Sequence, residues 1–202
     1  MPTYKQAPWP NFHRNGTTYR LNHLNEYTIQ VTDSDGVERL MLVHFSDHCF
    51  TRDASPDPSQ DDPTLLYRPS TRRPNGYFCL DRWGLSQDLK THIHDAVHGQ
   101  VWMCHDPKYC IVPTVVLEGQ PLLYGILCKL SKEKGYHFKL SLEVITAYPW
   151  TRLDGQGQII KVTTYGKVDF SRLINLRVNN QTPTRITDGN RKTPELQIPD
   201  AQ

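Results

Sequence analysis

The stretch YCIVPTVVL-EGQP-LLYGILCKL-SKEKG-YHFKLSLEVITAY, from Tyr109 to Tyr148, decides the fold class. It contains three runs of apolar, β-branched and aromatic residues, and two short polar segments separate them. Such runs form strands, and short turns between strands join them in antiparallel order. The sequence therefore predicts an antiparallel meander with the core of the protein on one of its faces.

A second pair of strands precedes this meander. Apolar and polar residues begin to alternate between Tyr19 and Val31, and the segment Val37–Phe45 alternates again. The turn sequence Asp33-Ser34-Asp35-Gly36 lies between them, and its glycine can adopt positive φ. We expect these residues to form a β-hairpin.

One helix is predicted between the hairpin and the meander, from Leu85 to His98. Its apolar residues are spaced at every fourth position, which makes one apolar stripe, and Gly99 follows where a helix commonly ends. The predicted class is α+β, with a mainly antiparallel sheet made of the N-terminal hairpin and the C-terminal meander. One main amphipathic helix packs against that sheet.

The predicted organisation is a single domain with an arm at each end. Residues 1–18 are expected to form an extended N-terminal arm because prolines interrupt them, and residues 19–178 form the domain. A long loop at 46–76, rich in proline, aspartate and arginine, lies inside the domain, and loops of this length are often functional. Residues 179–202 are polar and are interpreted as a C-terminal tail.

The composition says more about the cellular compartment of the protein than about its activity. The 202 residues carry a net charge of +2, which does not by itself require a polyanionic partner. No segment approaches the roughly 20 apolar residues of a membrane helix, and the N-terminus does not resemble a secretion signal. The five cysteines are odd in number and scattered. These features favour a cytoplasmic protein with free thiols and no membrane partner.

Histidine and arginine residues near the long loop are the first candidates for function. His44, with Ser46, His48, Cys49 and Arg52, lies where a strand runs out into this loop, and such positions often carry sites. Arginines next to tyrosines suit phosphate binding and base stacking. The arginines expected to bind nucleic acid are Arg52, Arg68, Arg72 and Arg82, and Arg73 belongs to the same basic segment. Ordinary pairing with nearby aspartates is an alternative for all of them.

The last strand of the meander offers a polar face. Lys139, Ser141 and Glu143 alternate to one side, and the apolar residues between them alternate to the other. Exposure to water explains such a face equally well. The alternative is that Ser141, Thr146 or Tyr148 faces a substrate lying on the sheet.

A zinc site is a further possibility. His94 and His98 are one helical turn apart, and Cys104, His105 and Cys110 follow within a few residues. The chain has no C-x-x-C pair, and a solvated, histidine-rich helix face is the simpler interpretation. No metal or other cofactor is therefore assigned.

The order of elements from Tyr77 to Tyr148, a helix followed by a meander ending in LEVITAY, resembles the small metal-independent ribonucleases of the barnase, colicin and RelE kind. Many of these are toxins of phages and mobile elements, and the whole chain also looks similar to bacterial and mobile-element proteins. The resemblance implies RNA transesterification. The residues that match as catalytic are His44, His92, Arg73, Thr146 and Tyr148.

Three functions remain open from the sequence. The first is a nucleic-acid-acting protein, a toxin-type ribonuclease that uses histidine and arginine. The second is a non-catalytic module that binds RNA, DNA or a protein partner, and the third is a zinc-dependent protein. The sequence specifies no oligomeric state.

Overall fold

A computed structural model of the chain describes residues 8–68, 76–104, 108–133, 139–149 and 166–181. Strands and helices follow one another along these ranges. In chain order they are β1 (Phe12–Arg14), β2 (Thr17–Tyr19), β3 (Tyr27–Thr32), β4 (Glu38–Phe45), β5 (Thr51–Arg52), β6 (Leu66–Tyr67), β7 (Gly76–Phe78), α1 (Leu80–Ser86), α2 (Leu89–Val97), β8 (Gln100–Met103), β9 (Lys108–Ile111), β10 (Thr114–Leu117), β11 (Gln120–Lys132), β12 (Lys139–Pro149), β13 (Lys167–Asp169) and α3 (Phe170–Val178).

The main sheet has eight strands and curls into a half-barrel. Its strand order is β13-β8-β9-β11-β12-β4-β3, and β10 pairs with β11 beside β9. Strands β5, β7 and β6 form a small separate sheet, and β1 pairs with β2. The α+β class is therefore confirmed, with few helices and mostly sheet.

The prediction of a mainly antiparallel sheet is corrected by one pairing. Strands β4 and β12 are neighbours and run parallel, with His44 opposite Glu143. This pairing joins the N-terminal hairpin and the C-terminal strands into one mixed sheet. The alternation of apolar and polar residues has the same period in both kinds of pairing, so the pattern alone does not distinguish them.

The predicted strands are otherwise largely present. The hairpin β3–β4 forms with Tyr27 opposite Val43, as expected from its turn sequence. The run YCIVPTVVL is two strands instead of one, because the chain is interrupted at Val112 and Pro113. Both pieces pair with β11, one after the other along the same edge. Proline cannot donate to a ladder of hydrogen bonds, which explains the break.

The main helix predicted over Leu85–His98 is two short helices. Helix α1 ends at Ser86 and α2 begins at Leu89. The Ser86 hydroxyl donates to the carbonyl oxygen of Trp83 at 2.7 Å, and such local side-chain bonds compete with a continuing helix. No helix in the described ranges is long and apolar enough to cross a membrane.

The main core lies on one face of the large sheet. The buried residues of all three helices belong to it, together with the inward residues of β4, β11 and β12. Examples are Ile93 of α2 and Ile174 of α3, both fully buried. We call the other side of the sheet the outer face, and no described helix has its buried residues there.

The N-terminal segment is part of the core. Trp9 packs edge-on against Phe50, with ring centroids 5.4 Å apart. Phe12 stacks on Phe78 at 4.3 Å. Two residues with positive φ, Asn15 and Gly16, make the tight turn of the hairpin β1–β2 that presents these rings.

The turn between β3 and β4 is held by an ion pair whose carboxylate is buried. Asp33 is 3% exposed and accepts from the Arg39 side chain at 2.9 and 3.0 Å. It also accepts from the backbone N–H groups of Asp35 and Val37. Although burial works in the opposite direction, these donors hold the pKa of the Asp33 carboxyl below its usual value.

The substitution Asp33→Ala should lower the free energy of unfolding by about 2 kcal/mol, because it leaves the largely enclosed Arg39 guanidinium without its carboxylate partner. Urea unfolding at pH 7 measures this change. The exposed neighbour serves as the control, and Asp35→Ala should stay within about 0.5 kcal/mol of the parent. Equal effects of the two substitutions would contradict the assigned role of Asp33.

A second polar cluster joins the segment before β3 to helix α1. The Nε2 atom of His23 lies 2.7 Å from the Ser86 hydroxyl and 3.2 Å from the Gln87 amide. The Arg20 carbonyl accepts from the Trp83 indole at 3.0 Å. Burial lowers the pKa of His23 to about 4, with a further contribution from Lys90, so the ring is neutral at physiological pH.

This histidine should make stability depend on pH. Between about pH 4 and 6.5, the unfolded chain binds a proton at His23 that the folded chain does not, so stability increases with pH in this window. Between pH 7 and pH 5 the loss should be about 1 kcal/mol, after allowance for partial exposure. The variant His23→Gln should lack this component when urea midpoints at the two pH values are compared. If His23→Gln responds to pH as the parent does, the assigned contribution of His23 is wrong.

Candidate functional site

The outer face is made of the residues that alternate with the core residues along the large sheet. Because the inward positions of β4, β12, β11 and β9 are buried in the main core, the side chains between them point outward. A small apolar cluster on this face is separate from the main core. Its members are Cys104, Cys110, Trp102, Val112, Leu123 and Leu127.

A row of ionisable side chains crosses the outer face at right angles to the strands. The strand register places Lys108 opposite Lys129, Lys129 opposite Glu143, and Glu143 opposite His44. Neighbouring strands are about 4.8 Å apart, so the row spans about 15 Å. Both lysines are exposed. We call these four residues the ionisable row.

Two lysines stand side by side in this row. Like charges directly opposite each other on paired strands destabilise a sheet, and Glu143 can neutralise Lys129 only on its other side. The arrangement favours a site that an anion would stabilise when bound.

Ser141 precedes Glu143 by two residues on β12 and is its neighbour on the outer face. It is 5% exposed, and its hydroxyl is 3.4 Å from Nδ1 of His44. This contact is at the long end for a hydrogen bond. It orients the imidazole, and it leaves the serine oxygen too enclosed to attack a large substrate.

A β-bulge lies at the end of the outer face where β12 reaches its C-terminus, which we call the upper end. The register shifts between Leu127 and Cys128 of β11, so β12 has one extra residue at Ile145. The Ser46 hydroxyl donates to the Ile145 carbonyl, and the Thr146 hydroxyl donates to the His48 carbonyl at 3.4 Å. The bulge therefore anchors the residues that follow β4 to the end of β12.

Helix α1 supplies a cation at this end. Arg82 donates to the carbonyl oxygens of His48 at 2.9 Å and Thr51 at 2.8 Å. Its guanidinium carbon lies 5.7 Å from the centre of the Tyr148 ring. Burial raises the pKa of the Tyr148 hydroxyl and Cys110 adds to this, whereas Arg82 opposes it. Tyr148 is therefore a neutral, half-buried ring beside a fixed positive charge.

A second aromatic ring lies at the other side of the outer face. Trp102 of β8 is half-buried and pairs with Lys167 of β13. The ammonium group of Lys167 is 5.1 Å from the centre of the indole ring. The outer face thus carries two aromatic rings, Trp102 and Tyr148, each with a cation nearby.

The candidate residues from the sequence fall into separate groups. His44, Thr146, Tyr148 and Arg82 lie on the outer face or at its upper end. His92 lies on the core side, with its ring 6.1 Å from the buried Tyr124 ring, and burial lowers its pKa. It therefore does not share a site with His44.

The predicted arginines of the long loop differ in their surroundings. Arg52 donates to Asp61 at 2.6 Å and lies over the Tyr77 ring at 5.1 Å. Arg68 is exposed. Arg72 and Arg73 lie outside the described residues.

The described residues provide little for a metal. Among them, no group of three or more His, Cys, Asp or Glu side chains could hold an ion. The rings of His94 and His98 are 5.2 Å apart, as their helical spacing predicts. Cys104 and Cys110 contact each other, and His105 lies outside the described ranges.

The pattern of the sequence missed Lys108, Lys129 and Trp102. Each is an ordinary surface residue when viewed along its own strand. They become one surface only through the pairing of β9 and β8 with their neighbours, and this register has no local signal.

Comparison with known proteins identifies relatives over most of the chain. The model of the YjaZ family matches residues 11–177. Protein YjaZ of Escherichia coli strain K12 is 28% identical over 182 residues, which cover 87% of this chain and 94% of that protein. No solved structure matches significantly.

These matches correct the resemblance stated above. The family that matches is not one of the barnase, colicin or RelE ribonucleases, so that resemblance is wrong. The order of a helix followed by a meander is shared by many α+β proteins and is not specific to one family.

The ionisable row makes a prediction about stability. The substitution Lys108→Glu replaces a like-charge pair with an opposite-charge pair, so the free energy of unfolding should increase by about 0.5 kcal/mol. Urea unfolding at low ionic strength measures the gain, which should shrink in 0.5 M salt. The neutral variant Lys108→Gln should give a smaller gain. A loss of stability in both variants would contradict the predicted repulsion.

Proposed function

This chain belongs to the YjaZ family, and we propose that it is a non-catalytic binding protein that holds single-stranded nucleic acid on the outer face of its sheet. The observation that carries the proposal is the pair of exposed side chains Lys108 and Lys129, which lie side by side on the outer face, with the rings of Trp102 and Tyr148 on the same face.

The charges of the outer face support a phosphate backbone as ligand. Lys108, Lys129 and Lys167 are exposed and belong to three strands of one sheet. A phosphate placed between the two paired lysines removes their mutual repulsion, and its condensed counterions are released. The site therefore gains electrostatic free energy on binding, in addition to what a scattered set of lysines would provide.

The aromatic rings support unpaired bases as the second contact. Trp102 and Tyr148 present ring surfaces beside cations, and bases stack on such rings with little dependence on sequence. Sheets that carry aromatic and basic residues bind single strands because their bases are free to turn towards the protein. A duplex keeps its bases stacked and offers only its backbone.

The arrangement favours binding over cleavage. A ribonuclease needs a base and an acid positioned on either side of one phosphate. The imidazole of His44 contacts the hydroxyl of Ser141, which is almost fully buried and is a weak proton donor. His92, the other candidate proton carrier, lies on the core side against Tyr124.

A second candidate function is binding of a protein segment. Leu40 is 45% exposed and Val116 is 68% exposed, and both are large apolar side chains of strands in the main sheet. Exposed apolar groups at the margins of a sheet are common in protein interfaces. The two candidate functions differ in salt dependence, because salt weakens the binding of nucleic acid more than the binding of an apolar protein segment.

Fluorescence anisotropy with labelled single-stranded RNA, single-stranded DNA and a DNA duplex tests the proposal. We expect the single strands to bind more tightly than the duplex. The logarithm of affinity should decrease with the logarithm of salt concentration with a slope of about −2, as expected for three phosphate contacts. The double variant K108E/K129E should bind at least about tenfold more weakly and reduce this slope by one or two units.

A matched control distinguishes the effect of the outer-face lysines from the effect of the changed net charge. Arg20 and Arg172 are exposed, and Arg172 belongs to α3 on the core side of the sheet. The variant R20E/R172E has the same charge change as K108E/K129E and should bind like the parent. Equal losses in the two double variants, or binding to none of the nucleic acids, would contradict the proposal. Turnover of RNA in excess EDTA would contradict its non-catalytic part.

A further inference from the structure

Two cysteines lie close to each other on the paired strands β8 and β9. Trp102 is opposite Cys110 and Met103 is opposite Tyr109. The backbone N–H of Cys104 donates to the Lys108 carbonyl at 3.1 Å, which extends the pairing by one position. Cys104 and Cys110 are therefore diagonal neighbours on the outer face.

The two thiols form their own small cluster. Cys104 is 9% exposed and Cys110 is 1% exposed, and both are free thiols. They are the only two buried residues of the apolar cluster on the outer face within the described ranges. Cys49 and Cys128 belong to the main core on the other side of the sheet. The pair Cys104 and Cys110 is thus separated from the other buried thiols.

The two sulfur atoms differ in acidity. A hydrogen bond from Cys110 lowers the pKa of the Cys104 thiol, and the Lys108 ammonium group adds to this effect. The same contact raises the pKa of Cys110, and burial raises it further. Cys104 is therefore the sulfur that carries negative charge first, and Cys110 keeps its proton.

We propose that Cys104 and Cys110 form a redox-active dithiol that closes to an intramolecular disulfide by exchange with a small-molecule disulfide. The inference does not depend on the proposed binding function, because it rests only on the register of one hairpin and on the contact between two thiols.

The chemistry takes place in two exchange steps. The Cys104 thiolate attacks one sulfur of the small disulfide, forms a mixed disulfide and releases one thiolate. Cys110 then loses its proton and attacks the Cys104 sulfur, which breaks the mixed disulfide and releases the second small thiol. The protein loses two hydrogen atoms, and one small disulfide becomes two thiols, so electrons and protons balance.

The geometry makes this disulfide easily reversible. Diagonal neighbours in a flat antiparallel pair have Cα atoms about 7–8 Å apart, whereas a relaxed disulfide needs less than about 6.8 Å. Cys104 lies just beyond the end of β8, so closure of the bond requires only a local shift of its backbone. A bond formed under such strain has a more oxidising potential than a structural disulfide.

Incubation of the reduced protein with oxidised glutathione tests the proposal. After quenching, denaturing and alkylating, intact mass should show loss of two of the five reactive thiols without retained glutathione. Digestion with trypsin and chymotrypsin together should separate Cys110 from Cys128 and give one cross-linked peptide containing Cys104 and Cys110. Dithiothreitol should restore all five thiols.

Single variants distinguish the roles of the two sulfurs. Cys110→Ser should stop at one retained glutathione on residue 104, and Cys104→Ser should keep its four remaining thiols. Cys79 is half-buried and outside the cluster, so Cys79→Ser should still lose two thiols. If a variant misfolds by circular dichroism, the wild-type peptide map decides alone. A wild-type protein that keeps five thiols, retains glutathione, or links either cysteine to Cys128 would overturn the proposal.

Discussion

Packing of three helices against the inner face of the eight-stranded sheet is the interaction on which the rest of the structure depends. Each fully buried large apolar side chain contributes about 1.5–3 kcal/mol, and the inward residues of β4, β11 and β12 are nearly all buried. A slip of one residue in β11 would exchange Leu130 for Lys129 in the core. The register that buries the inner face therefore also determines which charged residues become neighbours on the outer face.

Local patterns predicted the parts of the fold that depend on nearby residues. The turn at Asp33 to Gly36 predicted the hairpin, and alternation along β12 correctly separated the polar positions Ser141 and Glu143 from the apolar ones. The parallel pairing of β4 with β12 was not predictable, because apolar and polar residues alternate with the same period of two in parallel and antiparallel strands. The break after Ser86 was not predicted either, and the Ser86 hydroxyl at this break contacts His23, 63 residues earlier in the chain.

The candidate site shows the same division. His44 and Tyr148 were recognised individually, from residue type and position on a strand. Arg82 was also recognised, but its contact with Tyr148 was not predicted, because it depends on the placement of α1 over the end of the sheet. The row from Lys129 through Glu143 to His44 was not predicted either, because it forms only through pairing across the sheet. Chemistry can be assigned to single residues from a sequence, but a surface is defined by register, and register is a property of the whole sheet.

The parallel pair β4 and β12 has a consequence for how the chain is made. His44 and Glu143 are 99 positions apart, so the ribosome completes β4 long before its neighbour exists. At about 5–20 residues per second, this interval lasts roughly 5–20 s. During that time Met41, Val43 and Phe45 have no sheet to join, and one edge of the hairpin is open. The apolar face of the hairpin therefore has to stay soluble on the nascent chain until the second half has emerged.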